Sequence, residues 1–349
     1  DDAYRVIANM NIVISTDITS LDGDQNYGKH IQGEAYALRG MAHYDLLRSF
    51  GQQHAGGGAL GVPIVTTFKG DEASLSPSRS TIDEVKNAIY ADLETAYNMM
   101  DSQYDSKILI SKHAAKALEA RVATSFGDWT IARHAAATVI NSGKYTIASQ
   151  GSFVSNWASK QASNSIFEIA NSTSDNPGNG SLAYIYRFPG DAPSGYGDVE
   201  VEASVINLFE ATDVRIDILG YQDGGTRLRN MGKYPDTVTT ADNVPLIRIE
   251  EMVLIYAEAL FEINNADPMA LTQLNSIPNN RGATPYAAVT KDNIMLERRK
   301  ELMFEGFRFD DLMRTGEDID VLGSSAQLIQ TLTYPNNLFA YPIPAAEIN

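Results

Sequence analysis

The 349-residue chain has no cysteine, which excludes a disulfide scaffold, a thiolate-ligated metal site and a cysteine nucleophile. Tryptophan is scarce, with two residues, and histidine has five. His30, His43, His54, His113 and His134 never form an H-x-x-x-H pair or sit beside paired carboxylates at ligand spacing, so neither a metal site nor a cofactor is expected. Basic residues are also few: 27 Lys and Arg face 44 Asp and Glu, for a formal net charge of −17. Nucleic-acid and anionic-membrane partners need clustered Lys and Arg, and both are disfavoured here. The longest strictly apolar run, Met252 to Ala257, is far short of the roughly 20 residues that span a bilayer. No signal peptide precedes Asp1 and no Gly-x-Ser-x-Gly elbow occurs. On composition alone, a cytosolic enzyme is the simplest reading.

What is present is helical periodicity. Tyr4, Ile7, Met10 and Ile14 already run at helical spacing, as though the chain begins inside a helix with material missing upstream. Ala35, Leu38, Met41, Ala42 and Leu46 predict a helix from Gln32 to Phe50, ended by Gly51. Thr81 and Glu84 form a capping-box pattern ahead of the stripe Ile82, Val85, Ile89, Leu93 and Ala96. An alanine-rich pair follows, one helix after Ser111 and one near Asp128, divided by Phe126-Gly127. Periodicity fades across residues 145–245, where only short β-like pieces such as Ser165 to Ile169 stand out. Helices return at Glu250 to Ile263, Met269 to Leu274 and Asp292 to Phe304, and Leu338 to Pro344 reads as extended. The predicted fold is mainly α: a tetratricopeptide-like scaffold of helix pairs with a long, loop-rich insert containing short β-strands. The expected division is a single domain over 1–349. Residues 1–144 and 246–315 form its scaffold, 145–245 its ligand-facing insert and 316–349 an extended tail.

Several apparent motifs fail on inspection. Asp22-Gly23-Asp24-Gln25-Asn26 opens like a calcium loop, but Tyr27 and Gly33 occupy the positions that require Gly and Glu, so a polar helix-connecting loop is expected. Gly56-Gly57-Gly58 leads into a strand-like segment with no following Gly-Lys-Ser or Gly-Lys-Thr, which makes it a loop and not a phosphate cradle. The charged run from Glu297 to Arg314 interleaves Phe304, Phe307 and Phe309. Its i,i+4 spacing favours arginine–carboxylate pairs locking a helical turn over acid–base catalysis.

The aromatics are more informative. Tyr184, Tyr186, Phe188, Tyr196, Phe209, Tyr221 and Tyr234 fall in the polar insert, where rings either pin long loops or offer flat faces to a ligand. Trp129 and Trp157 flank regular elements and read as structural.

Ordered segments then point to one family. They run from Gly33 to Gly51, with Gly61-Val62-Pro63-Ile64-Val65 following, and from Thr81 to Ala96. Further segments are Tyr256-Ala257-Glu258-Ala259, Glu297 to Arg314, Tyr341-Pro342-Ile343-Pro344 and Glu347-Ile348-Asn349. Together they resemble the SusD/RagB family of surface nutrient-binding lipoproteins. The resemblance implies a non-enzymatic surface lipoprotein of the outer membrane that captures oligosaccharides for a TonB-dependent, SusC-like transporter. The lipid anchor would lie on an N-terminal segment outside this chain. The RagB branch implies oligopeptides as the alternative ligand, and a glycosidase using Glu301 and Glu305 is the remote one. The expected ligand groups are Tyr184, Tyr186 and Tyr196 for stacking, with Asn179, Arg187 and Asp198 for hydrogen bonding.

Overall fold

The computed structural model describes residues 2–68, 77–197, 199–323 and 327–345. Its elements in chain order are α1 (Asp2–Ser15), α2 (Gln25–Phe50), α3 (Ile82–Met99), α4 (Lys112–Phe126), α5 (Trp129–Asn141), α6 (Phe153–Asn156), β1 (Ser165–Ile169) and α7 (Leu182–Tyr186). They continue with β2 (Leu219–Gln222), β3 (Arg227–Asn230), β4 (Val244–Arg248), α8 (Ile249–Ile263), α9 (Pro268–Asn279), α10 (Lys291–Glu301), α11 (Arg308–Thr315), β5 (Ile319–Leu322) and β6 (Leu328–Leu332). The mainly helical architecture expected from periodicity is the one observed. Two compact units divide the chain, residues 1–128 with 309–349 and residues 129–308.

Helix starts follow from side chains that satisfy the first backbone N–H groups. Thr81 and Glu84 make the full capping box of α3, and Ser111 caps α4, which Gly127 closes in a left-handed conformation at φ 71°. In contrast, α2 begins seven residues before the predicted Gln32. Asp24 accepts from the Asn26 and Tyr27 N–H groups and starts the helix there. The failed calcium motif is therefore a helix cap, and its remaining carboxylate oxygen accepts from the Tyr104 hydroxyl at 3.0 Å.

In the first unit α1 packs on α2, α2 on α3 and α3 on α4. Gly33 permits the α2 approach, since a Cβ there would lie 2.6 Å from Met100 Cγ. Buried Arg39 ties these helices together. It grips both oxygens of Asp92 on α3 at 2.8 and 2.6 Å and donates to Asn11 Oδ1 on α1 at 2.8 Å and to the Thr66 carbonyl at 3.2 Å. His43, one turn on, is buried and fully satisfied: Nδ1–H donates to the Arg39 carbonyl, and Nε2 accepts from the Val65 N–H. The tail departs from the extended reading. β5 and β6 pair as an antiparallel hairpin, and Asn337–Phe339 forms a 3-10 turn capped by Asn336. The β-branched residues Ile319, Val321, Ile329 and Thr331 carry that hairpin. Glu347 to Asn349 lie outside the described residues.

In the second unit α5 and α9 pack on α8. Ala132, Ala135 and Ala136 of α5 are fully buried, small enough to bring helix backbones close. β1, predicted as a strand, pairs antiparallel with β4, and β2 pairs with β3 as a hairpin the sequence did not reveal. α9 and α10 also end elsewhere than predicted, at Asn279 and Glu301. Phe304 lies beyond α10 at φ 69°.

The buried His43 makes acid stability testable. Burial, reinforced by the Arg39 charge, pushes its imidazole from 6.5 down to about 4. The unfolded chain then takes up the proton first. Stability is complete above the unfolded value and is lost as pH falls toward the folded one. Between pH 7 and pH 4 the wild type is expected to lose about 3 kcal/mol more than His43→Gln, measured as the difference in urea-unfolding free energies at the two pH values.

Candidate functional site

Ser181 caps α7 by accepting from the Tyr184 N–H, and this one-turn helix sorts the predicted aromatics. Residues two apart on a helix face different ways. Tyr184 and Tyr186 are both half-buried but take different neighbours: Tyr186 packs onto Phe304 with ring centroids 5.3 Å apart and against a core cluster of Trp157, Ala183 and Tyr234. Tyr196, 50 % exposed, returns to meet Tyr184. Their rings stand edge to face, 5.0 Å apart at 87°, and the Tyr196 N–H donates to the Tyr184 carbonyl at 2.9 Å. Gly195 makes this approach possible, because a Cβ there would collide with that carbonyl and lie 2.8 Å from Arg187 Cβ. Asn179 is exposed in the 3-10 turn Gly178–Gly180 just before α7.

Arg187 does not join this surface. It is fully buried and donates to the Asn230 and Met231 carbonyls, with burial lowering its guanidinium to about 10. Asp198 lies outside the described residues. Of the six expected groups, the structure brings Tyr184 and Tyr196 together at the surface, with Asn179 at the entrance to α7 and Tyr186 and Arg187 turned inside. Among the other aromatics, Phe209 and Tyr234 are core residues, whereas Tyr221 stays half exposed.

The loop carrying Tyr196 is held by residues that no sequence signal marked. Gln222 on β2, buried, accepts from the Phe188 N–H at 2.8 Å and donates to the Pro193 carbonyl at 2.9 Å. The Asp223 N–H donates to Asp191, and Arg229 donates to the Gly197 carbonyl at 3.0 Å and to the Val199 carbonyl. Among the described residues no cluster of three or more His, Asp or Glu is arranged to hold a metal. No helix among them is long and apolar enough to cross a membrane.

With this geometry in hand, known proteins supply the frame. Residues 217–349 match the SusD family model, and residues 1–123 match a model described as starch-binding associating with outer membrane. The chain belongs to the SusD family. A SusD-like protein P2 from Formosa agariphila is 25% identical, over 99% of this chain and 77% of its own length. A SusD superfamily structure from Bacteroides thetaiotaomicron superposes with a TM-score of 0.88 at 28% identity, over 99% of this chain and 82% of that one. A chain from Bacteroides vulgatus, provisionally named a sugar binding protein, gives 0.86 and 28% over 99% and 81%. The two SusD family matches leave residues 124–216 between them, and α7, Tyr184 and Tyr196 lie in that interval.

The charged run Glu297 to Arg314 falls inside the second SusD family match. Its carboxylates are engaged as the ion-pair reading expects: Asp311 pairs with Arg314 within the run at 2.7 Å, whereas Glu297, Glu301 and Glu305 take their cations from elsewhere in the chain. Glu301, fully buried, is gripped by Arg281 at 2.9 and 2.8 Å, by Arg248 at 3.2 Å and by Arg215 at 3.4 Å. Arg248 also reaches both oxygens of Glu305, at 2.8 and 2.7 Å, and Lys233 Nζ reaches Glu305 at 2.6 Å. Burial alone would raise the Glu301 carboxyl, but Arg281, Arg248 and Arg215 hold it well below the usual carboxylate range. Neither Glu301 nor Glu305 is placed to reach a substrate. Removing one partner from such a cluster strands the rest of the charge. Glu301→Ala is expected to destabilise the fold by about 3–5 kcal/mol, read from the urea midpoint and slope.

Proposed function

We propose that this chain is a surface-exposed, non-catalytic glycan-binding lipoprotein of the outer membrane. On this reading it captures oligosaccharides on Tyr184 and Tyr196 and hands them to a SusC-like, TonB-dependent transporter. The observation that carries the reading is the corner formed by Tyr184 and Tyr196, with Tyr196 half exposed and Asn179 exposed in the turn just before α7. Such rings cover the apolar C–H faces of a sugar, while nearby amides and hydroxyls take its polar edge. The family model described as starch-binding associating with outer membrane and the provisional naming of the Bacteroides vulgatus relative support a saccharide ligand. The burial of Glu301 and Glu305 among arginines and a lysine supports binding without turnover.

Isothermal titration with oligosaccharides selected on a glycan array tests the assignment. Tyr184→Ala and Tyr196→Ala are each expected to weaken binding by about 1 kcal/mol, roughly fivefold. Unchanged affinity in the double variant removes this corner from the site. A blank array beside a positive peptide-library pull-down moves the ligand to the oligopeptide class.

A further inference from the structure

The loop that brings Tyr196 to Tyr184 is a ten-residue irregular stretch, 188–197, for which a floppy conformation would be the ordinary expectation. Its attachment is instead dense: beyond the Tyr196 N–H bond to the Tyr184 carbonyl, its grips come from the β2–β3 hairpin. Gln222 grips the loop at Phe188 and Pro193, the backbone of Asp223 grips it at Asp191, and Arg229 grips it at Gly197 and, just beyond, at Val199. Phe188 is covered by the guanidinium groups of Arg227 and Arg229, 5.8 and 5.6 Å from its ring centre. Gln222 differs from the other grips in being a single side chain that uses both amide functions, acceptor and donor, on two loop positions five residues apart. Its backbone pairs with Arg227 in the hairpin, so the side chain is fixed from a regular element and not from a second loop.

We infer that Gln222 is a positioning residue for ligand capture: it presets the Tyr196 loop so that the Tyr184–Tyr196 corner exists before ligand arrives. The inference rests on the proposed role of that tyrosine pair and adds a residue that touches no ligand. Ordering a loop during binding subtracts its conformational entropy from the affinity, and a loop already ordered avoids that loss. Loosening the two Gln222 bonds should leave the hairpin paired and free the segment between Phe188 and Pro193, with Tyr196 three residues beyond.

The test uses the full chain in two variants of similar side-chain volume. Gln222→Met removes both bonds. Gln222→Glu keeps the acceptor for the Phe188 N–H and sets a carboxylate against the Pro193 carbonyl. Hydrogen exchange of the ligand-free protein is the first readout, because a purely structural role predicts loss of global stability without selective opening. The Phe188 and Tyr196 amides are expected to exchange at least tenfold faster in Gln222→Met while α8 and α10 keep their protection. In Gln222→Glu only the Tyr196 amide should open, which gives an independent reading where the Met variant does not fold. The second readout is titration with an array-selected oligosaccharide, expected to show about tenfold weaker binding and restored Tyr196 protection once ligand is bound. Unchanged exchange across 188–197 in a folded variant overturns the inference, as does faster exchange with unchanged affinity. If the wild type binds no saccharide, the functional reading fails instead, and the exchange data still decide whether Gln222 holds the loop.

Discussion

Glu301 is the group on which the second unit depends. It is a carboxylate removed from water and held by three guanidinium groups that arrive from distant points of the sequence: Arg215 in a 3-10 turn, Arg248 at the end of β4 and Arg281 just past α9. Around it lie Asp213, Glu250, Glu297 and Glu305 with Lys233, five carboxylates against four cations in all. Taking such charges out of water is expensive, and the arrangement is stable only where the remaining lone pairs and N–H groups find partners. Here they do: Arg281 also donates to the Ala148 carbonyl and Lys233 to the Glu301 carbonyl. The cluster thus fixes a strand end, two helices and a loop against one another with a geometry that packing alone would leave loose.

That cluster is also the floor of the candidate site. Lys233 Nζ and Arg248 Cζ lie 4.5 and 5.1 Å from the centre of the Trp157 ring, and Tyr234 meets the same ring edge to face at 5.4 Å. Tyr186, Ala183 and Leu182 of α7 rest on this pair. The sequence of contacts runs from carboxylate to cation to indole to phenol to helix, and it ends on α7, which carries Tyr184. Burial lowers Lys233 to about 8 against the opposing pull of Glu305, and the Glu305 carboxylate holds the Nζ beneath Trp157 at 2.6 Å. The first unit uses the same device in simpler form, with Arg39 bridging α1, α2 and α3 through Asn11 and Asp92.

What the sequence made legible was what is local. A capping box, an N-cap serine and a C-cap glycine each close within four residues, and Thr81, Ser111 and Gly127 do what their types require. The ion-pair reading of the run from Glu297 was sound in kind and caught the local pair Asp311–Arg314, yet the cations on Glu297, Glu301 and Glu305 stand 20 to 86 residues away, which no spacing rule could reveal. The same holds for Arg187. A loop arginine among tyrosines resembles a ligand group, and its fate was set by carbonyls 43 and 44 residues further on. Gln222 carried no signal because a glutamine on a short strand is ordinary until its two partners are in place. α2 started early because Asp24 outweighed the late onset of the apolar stripe.

The distribution of family likeness follows the same physics. The two family matches stop at residue 123 and resume at 217; the resumed part contains Lys233, Arg248, Arg281, Glu297, Glu301 and Glu305, while Asp213 and Arg215 of the same cluster fall in the interval between. The unmatched interval contains α7, the Tyr196 loop and Trp157. A buried charge cluster tolerates little change, since losing one member strands the others. An exposed turn resting on an indole tolerates a great deal, because its contacts are apolar and its polar groups face water. Gln222, Asp223, Arg227 and Arg229 belong to the matched part and reach into the unmatched one. The β2–β3 hairpin thus holds the loop at Phe188, Asp191, Pro193 and Gly197, and the Tyr184 carbonyl holds it at Tyr196 itself.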